Sequence, residues 1–140
     1  MTATSPVNIE RRFRKDLASL QDMFEFVDAF LQSQRAAPSV AYAVRFAAEE
    51  VFTNMVKYNP NAADVTLALQ RTDRSIVVRF VDVEAKPFDV TAVTVDVAQP
   101  IEERRPGRLG LLLLKKMMDS VEYAHDGVHS RITMTKCLEP

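Results

Sequence analysis

Apolar residues recur along this chain with two periods, one typical of strands and one typical of helices. A loose alternation of apolar and polar residues over Val7–Phe13 predicts a short edge strand. From Leu17 to Leu31 the apolar residues recur every three or four positions, which predicts a helix that begins after the capping residue Asp16 and ends near Arg35. The chain is therefore expected to open with a strand and an amphipathic helix.

A second helix is predicted from the break at Ala37-Pro38-Ser39 to about Tyr58, before the turn-forming sequence Asn59-Pro60-Asn61. Its apolar residues recur at helical spacing and form one stripe, which favours packing against a core. The stripe consists of Val40, Val44, Ala47, Val51 and Met55.

Glu50 and Asn54 lie one helical turn apart on this second helix, so their side chains stack on the same face. At about 100° per residue, Asn54 falls at the edge of the apolar stripe and Glu50 slightly further out, whereas Glu49 points toward water. A carboxylate and a carboxamide at the edge of a core can hold a cation or a water over a cleft. The structural alternative is that Asn54 hydrogen-bonds a neighbouring loop and Glu50 is solvated.

Two hairpins and a third helix complete the pattern. Clean alternation predicts one hairpin with strands around residues 65–69 and 76–80, and a closing hairpin around Asp126-Gly127. Between the hairpins, residues 83–106 lose regular pattern, and a third helix is expected from Gly107 to about Asp119. This order of elements predicts a two-layer α/β sandwich in a single domain of residues 1–140, with a mostly antiparallel sheet and helices packed on one face.

Composition narrows the classes of function. Apolar residues make up 47% of the chain and charged residues 26%, and the net charge of −1 gives no support for binding to nucleic acid. The longest apolar run is too short to span a membrane and no secretion signal is visible, so cytoplasmic residence is expected. Cys137 is the only cysteine, which excludes an internal disulfide and a cysteine zinc site.

A glycine segment, Gly107-Arg108-Leu109-Gly110, stands at the start of the third helix. Backbone N–H groups and a helix N-terminus can approach a phosphate at such a place, and Arg104 and Arg105 add positive charge. The alternative is a tight turn without a ligand. The patternless loop before it is of a length that, in a compact domain, is usually functional or disordered.

Five segments of the chain resemble the anti-sigma regulatory factor (serine/threonine kinase) family, part of the GHKL group of histidine-kinase-like ATPases. The resemblance extends from about Phe13 to Lys136, and five segments in this order and spacing are fairly specific although each alone is weak. They are the E-x-x-x-N of Glu50–Asn54 with Lys57-Tyr58 after it, Pro87-Phe88-Asp89, the Gly107–Gly110 segment with its leucines, Met118–Tyr123 and Ile132–Lys136.

The resemblance implies a Bergerat-type sandwich that binds ATP and Mg²⁺ beneath a mobile lid of about residues 91–106. In the family the matching asparagine binds Mg²⁺ and the matching glutamate is the candidate catalytic base, so these roles would carry over to Asn54 and Glu50. The glycine segment would cradle phosphates, and Thr133 would lie near the adenine. The implied nucleotide-binding residues are Asn54, Lys57, Tyr58, Asp82, Phe88, Arg105, Gly107, Arg108, Leu109, Gly110 and Thr133.

One departure from the family concerns its first glycine box, D-x-G, whose aspartate hydrogen-bonds the adenine amino group. Residues 81–89 of this chain contain no glycine. Counting back from Pro87 without a gap puts Val83 at the aspartate position, whereas a shift of one residue puts Asp82 there and Glu84 at the glycine position. Either register predicts weaker nucleotide binding than in a family member with an intact box.

Two functions remain open from the sequence. The first is a cytoplasmic ATP-binding regulator that binds a sigma factor or an antagonist protein and phosphorylates a serine or threonine of the latter. The second is a protein-binding module on the same fold with weakened or lost nucleotide binding. The family implies a homodimer, for which Met23 and Phe26 on the flanks of the first helix could form an exposed patch, unless the sheet curls enough to bury both.

Overall fold

The computed structural model describes residues 7–59, 63–83 and 108–138. These residues form five strands and three α-helices, with a short 3₁₀ turn at Leu17–Ser19, and none of the described helices is both long and apolar enough to cross a bilayer. In chain order the elements are β1 (Val7–Phe13), α1 (Leu20–Ser33), α2 (Pro38–Tyr58), β2 (Val65–Arg71), β3 (Ser75–Val83), α3 (Arg108–Met117), β4 (Ser120–His125) and β5 (His129–Cys137).

The five strands form one sheet in the order β1-β2-β3-β5-β4, and all neighbouring strands are antiparallel. Leu67, Phe80 and Ile132 lie side by side on the face that packs against the helices, and all three are buried. Arg79 and Thr133 pair on the opposite face, which carries polar and small residues. The predicted two-layer architecture, with helices on one face of an antiparallel sheet, is confirmed.

The central helix is α2, whose 21 residues contact α1, α3 and the sheet. Pro38 occupies its first turn, where the missing N–H has no intrahelical partner to lose. All five residues of the predicted apolar stripe are buried, and the fully buried Phe52 adds the largest side chain. Glu50 and Asn54, which lie at the edge of this stripe, are consequently close to the core on a helix that contacts α1, α3 and the sheet.

Met23 and Phe26 do not form an exposed patch on α1, so of the two alternatives left open by the sequence, burial is the better description. Met23 is completely buried, and Phe26 is half-buried with its ring edge-on to Phe13, at 5.8 Å between the ring centroids. Arg45 of α2 lies over the Phe24 ring, 4.4 Å from its centroid. Because β1 and α2 both approach α1, its wide apolar surface is covered within the chain and gives no support for a homodimer.

The end of α1 is a Schellman motif without glycine. Arg35 adopts a left-handed backbone conformation with φ of 52°. The N–H of Ala36 donates to the Leu31 carbonyl at 3.0 Å, and the N–H of Arg35 donates to the Gln32 carbonyl at 3.1 Å. A side chain at this position costs about 1 kcal/mol relative to glycine, so the packing of α1 has to offset it.

Candidate functional site

Glu50 and Asn54 form a hydrogen-bonded pair on one face of α2. Asn54 Nδ2 donates to the Glu50 backbone carbonyl at 2.7 Å and to Glu50 Oε2 at 3.2 Å. Asn54 is 7% exposed, Glu50 is half-buried and Glu49 is exposed, in the order that helical spacing predicts. Both bonds fix the orientation of the amide, and among the described residues no hydrogen bond is made to Asn54 Oδ1.

Burial makes Glu50 a stronger base than an ordinary glutamate. Desolvation raises its pKa above the usual 4.5, and the nearby Glu49 charge raises it further. The hydrogen bond from Asn54 and the charge of Lys57 act in the opposite direction and do not cancel the effect of burial. A carboxylate with a raised pKa binds a proton more readily, which suits a group that accepts one during a reaction.

The first turn of α3 brings Gly110 against the carboxyl group of Glu50. A Cβ placed on Gly110 would overlap the carboxyl carbon and both carboxyl oxygens of Glu50. Glycine is therefore what allows α3 to approach α2 this closely while the Glu50–Asn54 pair keeps its place. Leu109, just before it, is 55% exposed.

Asp82, near the end of β3, forms a second polar cluster. It is 2% exposed, and both of its carboxylate oxygens accept hydrogen bonds from this chain. Lys15 Nζ lies 2.7 Å from Oδ1, and Asn59 Nδ2 donates to Oδ2 at 2.7 Å and to the Val83 carbonyl at 2.7 Å. The cluster thus joins the segment after β1, the C-terminus of α2 and the end of β3.

The alternation along β3 distinguishes the two possible registers of the first glycine box. Asp82 faces the helices together with the buried Phe80, whereas Val83 faces the other side of the sheet. Directly across from Asp82 on β5 lies Ser130, which is 1% exposed. Asp82 is therefore the residue of this segment that can serve a site beneath the helices, and Val83 is not.

Thr133 is not brought to this site. It lies on the sheet face away from the helices, where Arg79 Nε donates to its Oγ1 at 3.3 Å. Its neighbours Ile132 and Met134 are buried on the helical face, so the period of two along a strand could have placed Thr133 correctly from the sequence. The buried hydroxyl on the helical face of β5 belongs to Ser130.

The remaining residues implied by the resemblance fall into two groups. Lys57 and Tyr58 are exposed at the C-terminal end of α2, between the two polar clusters. The others lie outside the part of the chain that the structure describes. These are Phe88, Arg105, Gly107 and the expected lid of residues 91–106, together with the side chain of Arg108.

The donor set of the first cluster fits Mg²⁺. Asn54 Oδ1 is an oxygen ligand of the kind this ion prefers, and Mg²⁺ commonly takes one or two protein ligands and completes its shell with phosphate and water. Within residues 7–59, 63–83 and 108–138, no three His, Cys, Asp or Glu side chains converge to hold a metal by themselves. The site therefore suits an ion that arrives with a phosphate ligand.

The two clusters lie along the same helix and are not in contact with each other through any described hydrogen bond. Asn54 belongs to the first and Asn59 to the second, and five residues of helix correspond to about 7.5 Å along the axis.

Comparison with known proteins identifies the class of domain that carries these clusters. Residues 13–136 match the family described as histidine kinase-like ATPase domain. No sequence among the curated proteins matches the chain significantly.

Solved structures agree in fold. The chain is similar to the RsbU and RsbW domains of a Mycobacterium tuberculosis protein, with a TM-score of 0.68 and 13% identity over 98% of this chain and 34% of that one. It is similar to the SiaB–SiaC complex from Pseudomonas aeruginosa, with a TM-score of 0.63 and 14% identity over 91% of this chain and 88% of that one. The Acinetobacter baumannii histidine kinase AdeS gives a TM-score of 0.52 and 9% identity over 94% and 68%.

At these identities the similarity to solved structures shows the fold alone, and the chain spans about a third of the first of them. The family match, in contrast, covers most of the chain and includes Glu50, Asn54, Asp82 and Gly110. A domain of this class binds ATP, which agrees with oxygen donors suited to Mg²⁺ on α2 and with a buried carboxylate at the end of β3. The chain belongs to the histidine kinase-like ATPase domain family.

Proposed function

We propose that this domain is an ATP-binding regulator of the anti-sigma factor type that phosphorylates a serine or threonine of an antagonist protein. The observation that carries the proposal is the cluster of Glu50, Asn54 and Gly110, in which a half-buried carboxylate of raised pKa accepts a hydrogen bond from the amide nitrogen of Asn54. If the Glu50–Asn54 pair only held the fold, α3 would not need a glycine, Gly110, against the carboxyl group of Glu50.

Asn54 Oδ1, with a Glu50 oxygen close by, is the side-chain atom that would hold Mg²⁺. When bound, this ion would neutralise phosphate charge, which is its usual contribution to phosphoryl transfer. The hydrogen bonds from Asn54 Nδ2 to Glu50 aim Oδ1 away from Glu50, so the amide is oriented before any ligand arrives. Orientation in advance removes part of the entropic cost of binding.

Glu50 is the proposed general base. Its carboxylate would accept the proton of the serine or threonine hydroxyl whose oxygen takes the phosphoryl group from ATP. The raised pKa favours that proton transfer, and the burial that causes it also limits access of water to the carboxylate. Gly110 keeps the carboxylate in place from the other side.

A protein partner is part of the proposal. The solved neighbour SiaB is present in a complex with SiaC, and another neighbour contains an RsbW domain next to an RsbU domain. Carried over to this chain, these descriptions support an antagonist protein as the partner. A sigma factor as the regulated target and a homodimer as the working form are further parts of the proposal, which these descriptions do not address. Mass measured in solution at tens of micromolar tests the dimer, and a monomer there contradicts it.

The proposed binding of Mg-ATP is tested by titrating Mg-ATP while the melting temperature is followed. Wild type should be stabilised by saturating Mg-ATP, and Asn54→Ala should lose that stabilisation while its stability without nucleotide falls by no more than about 1 kcal/mol. Asn8→Ala, on an exposed position of β1, is the matched control and should respond like wild type. If Asn54→Ala unfolds without nucleotide, Asn54 is structural and the assignment fails.

A second candidate function is a protein-binding module that has lost nucleotide binding. The observation that favours it is the saturation of Asp82 by Lys15 and Asn59. The same titration separates the two candidates, because a pure binding module shows no change in melting temperature at millimolar Mg-ATP.

A further inference from the structure

Lys15 and Asp82 form a buried ion pair that the proposed activity does not require. The Lys15 side chain is 0% exposed and the Asp82 side chain 1%, with 2.7 Å between Nζ and Oδ1. Surface ion pairs form readily and contribute little, but moving two charges out of water is expensive unless the geometry is good and the remaining oxygens are hydrogen-bonded. Here Asn59 supplies that further bond, so the arrangement is specific.

The pair changes what Asp82 presents to a ligand. A carboxylate alone accepts a hydrogen bond from an amino group and repels a carbonyl oxygen. An ammonium group at 2.7 Å neutralises the carboxylate and attracts a carbonyl oxygen instead. Lys15 Nζ already donates to Oδ1, so an amino group that is to donate to the same oxygen has to compete with it.

We propose that Lys15 is a specificity-determining residue that lowers the preference of this domain for purines with a 6-amino group over purines with a 6-oxo group. The proposal rests on the proposed function and on the contact between the purine base and Asp82 that the family resemblance implies when Asp82 takes the aspartate position of the first glycine box. An amino purine has to displace Lys15, and its apparent affinity falls by the fraction of time for which Lys15 is away. An oxo purine offers an acceptor to the ammonium and does not compete with Lys15 for Oδ1.

The comparison of ATP with inosine triphosphate tests this assignment, because the two differ in the base alone at the 6-position and the adjacent ring nitrogen. Dissociation constants of their Mg²⁺ complexes are measured by calorimetry for wild type, Lys15→Met and Lys15→Gln. Lys15→Gln keeps a hydrogen-bond donor for Asp82 without the charge. It is the second variant in case Lys15→Met does not fold because it leaves the buried carboxylate without a partner on Oδ1. Lys116→Met, on an exposed position of α3, is the matched control.

Wild type should bind the two nucleotides within about threefold of each other, and folded Lys15→Met should prefer ATP by about tenfold or more, the usual effect of a hydrogen bond to a charged acceptor. Folded Lys15→Gln keeps a donor to Asp82 but loses the charge that attracts a carbonyl oxygen, so it should shift the ratio toward ATP by a smaller factor. The preference should come from tighter ATP and weaker inosine triphosphate binding together, and Lys116→Met should leave both constants unchanged. Wild type that binds neither nucleotide, with a Lys15 variant that binds ATP, also supports the proposal.

Two results overturn the specificity role and leave the proposed function intact. One is a preference for ATP above about tenfold in wild type, which needs no variant to detect. The other is an unchanged ratio of the two constants in a folded Lys15 variant, which makes the ion pair purely structural. If no protein in the series binds either nucleotide, the proposed ATP binding itself fails and the role of Lys15 fails with it.

Discussion

Replacing Gly110 with alanine sets two effects of known sign against each other. Alanine in a helix is favoured over glycine by up to about 1 kcal/mol. The new Cβ, however, overlaps the Glu50 carboxyl group, which has to rotate away and release the hydrogen bond from Asn54. A hydrogen bond to a charged group contributes about 1.5–3 kcal/mol, and the 3.2 Å length and partial exposure of this one favour the low end.

The net effect depends on whether Glu50 is present. With Glu50 in place, Gly110→Ala should lower the free energy of unfolding by about 0.5–2 kcal/mol, since the lost hydrogen bond outweighs the gain in helix propensity. In a Glu50→Ala background the three atoms nearest to the new Cβ are gone, and the same substitution should raise the stability by up to about 1 kcal/mol. The sign of the effect is therefore expected to reverse between the two backgrounds.

Urea unfolding of wild type, both single variants and the double variant measures this coupling. We expect an interaction energy of about 1–3 kcal/mol between positions 50 and 110. Glu49→Ala supplies the control, because Glu49 is the exposed neighbour and its substitution should add to Gly110→Ala within about 0.5 kcal/mol. Equal coupling to Glu49 and Glu50, or none to either, would refute the close approach of α3 to Glu50.

Three further predictions concern other parts of the chain. Because the pKa of Glu50 is raised in the folded state, the folded protein binds more protons than the unfolded protein between pH 4.5 and the raised pKa. The melting temperature should therefore fall as the pH rises through that range, and Glu50→Gln should remove this fall. Arg35→Gly should raise the free energy of unfolding by about 0.5–1 kcal/mol, because glycine adopts the left-handed conformation without strain; an unchanged urea midpoint contradicts this. Lys136→Met should lower the free energy of unfolding by about 1 kcal/mol, since Lys136 Nζ donates to the Met117 carbonyl at 2.7 Å at the C-terminus of α3. A urea midpoint equal to that of wild type would mean that this hydrogen bond does not contribute to stability.

Most elements of this fold could be predicted from the sequence because their apolar residues recur with the period of a helix or of a strand. β1 spans Val7–Phe13 as expected, and α2 ends at Tyr58, before the predicted turn. Glu50 and Asn54 were placed correctly relative to the core because helical geometry fixes the angle between side chains on one helix. Local regularity is sufficient wherever the question concerns residues on the same element.

Motif resemblance does not by itself separate residues that bind ligands from residues that hold the fold, because a family motif contains both. Asp119 belongs to the Met118–Tyr123 segment of the resemblance, and its Oδ2 accepts the backbone N–H of Cys137 at 2.6 Å. This hydrogen bond lowers the pKa of Asp119 and ties the end of α3 to β5. Thr133 entered the candidate site by the same route, although the alternation along β5 places it on the opposite face.

The contacts around Asp82 lie beyond the reach of any local pattern. Lys15 and Asp82 are 67 residues apart in sequence, and neither residue is unusual in its own surroundings. They meet because antiparallel pairing of β1 with β2 and of β2 with β3 aligns the end of β1 with the end of β3. The missing glycine of the first glycine box was visible in the sequence, but the cation beside its aspartate was not. We therefore expect two separable causes of weakened adenine recognition, a first glycine box that lacks its glycine and a carboxylate already paired with a cation, and only the second can be removed by changing Lys15 alone.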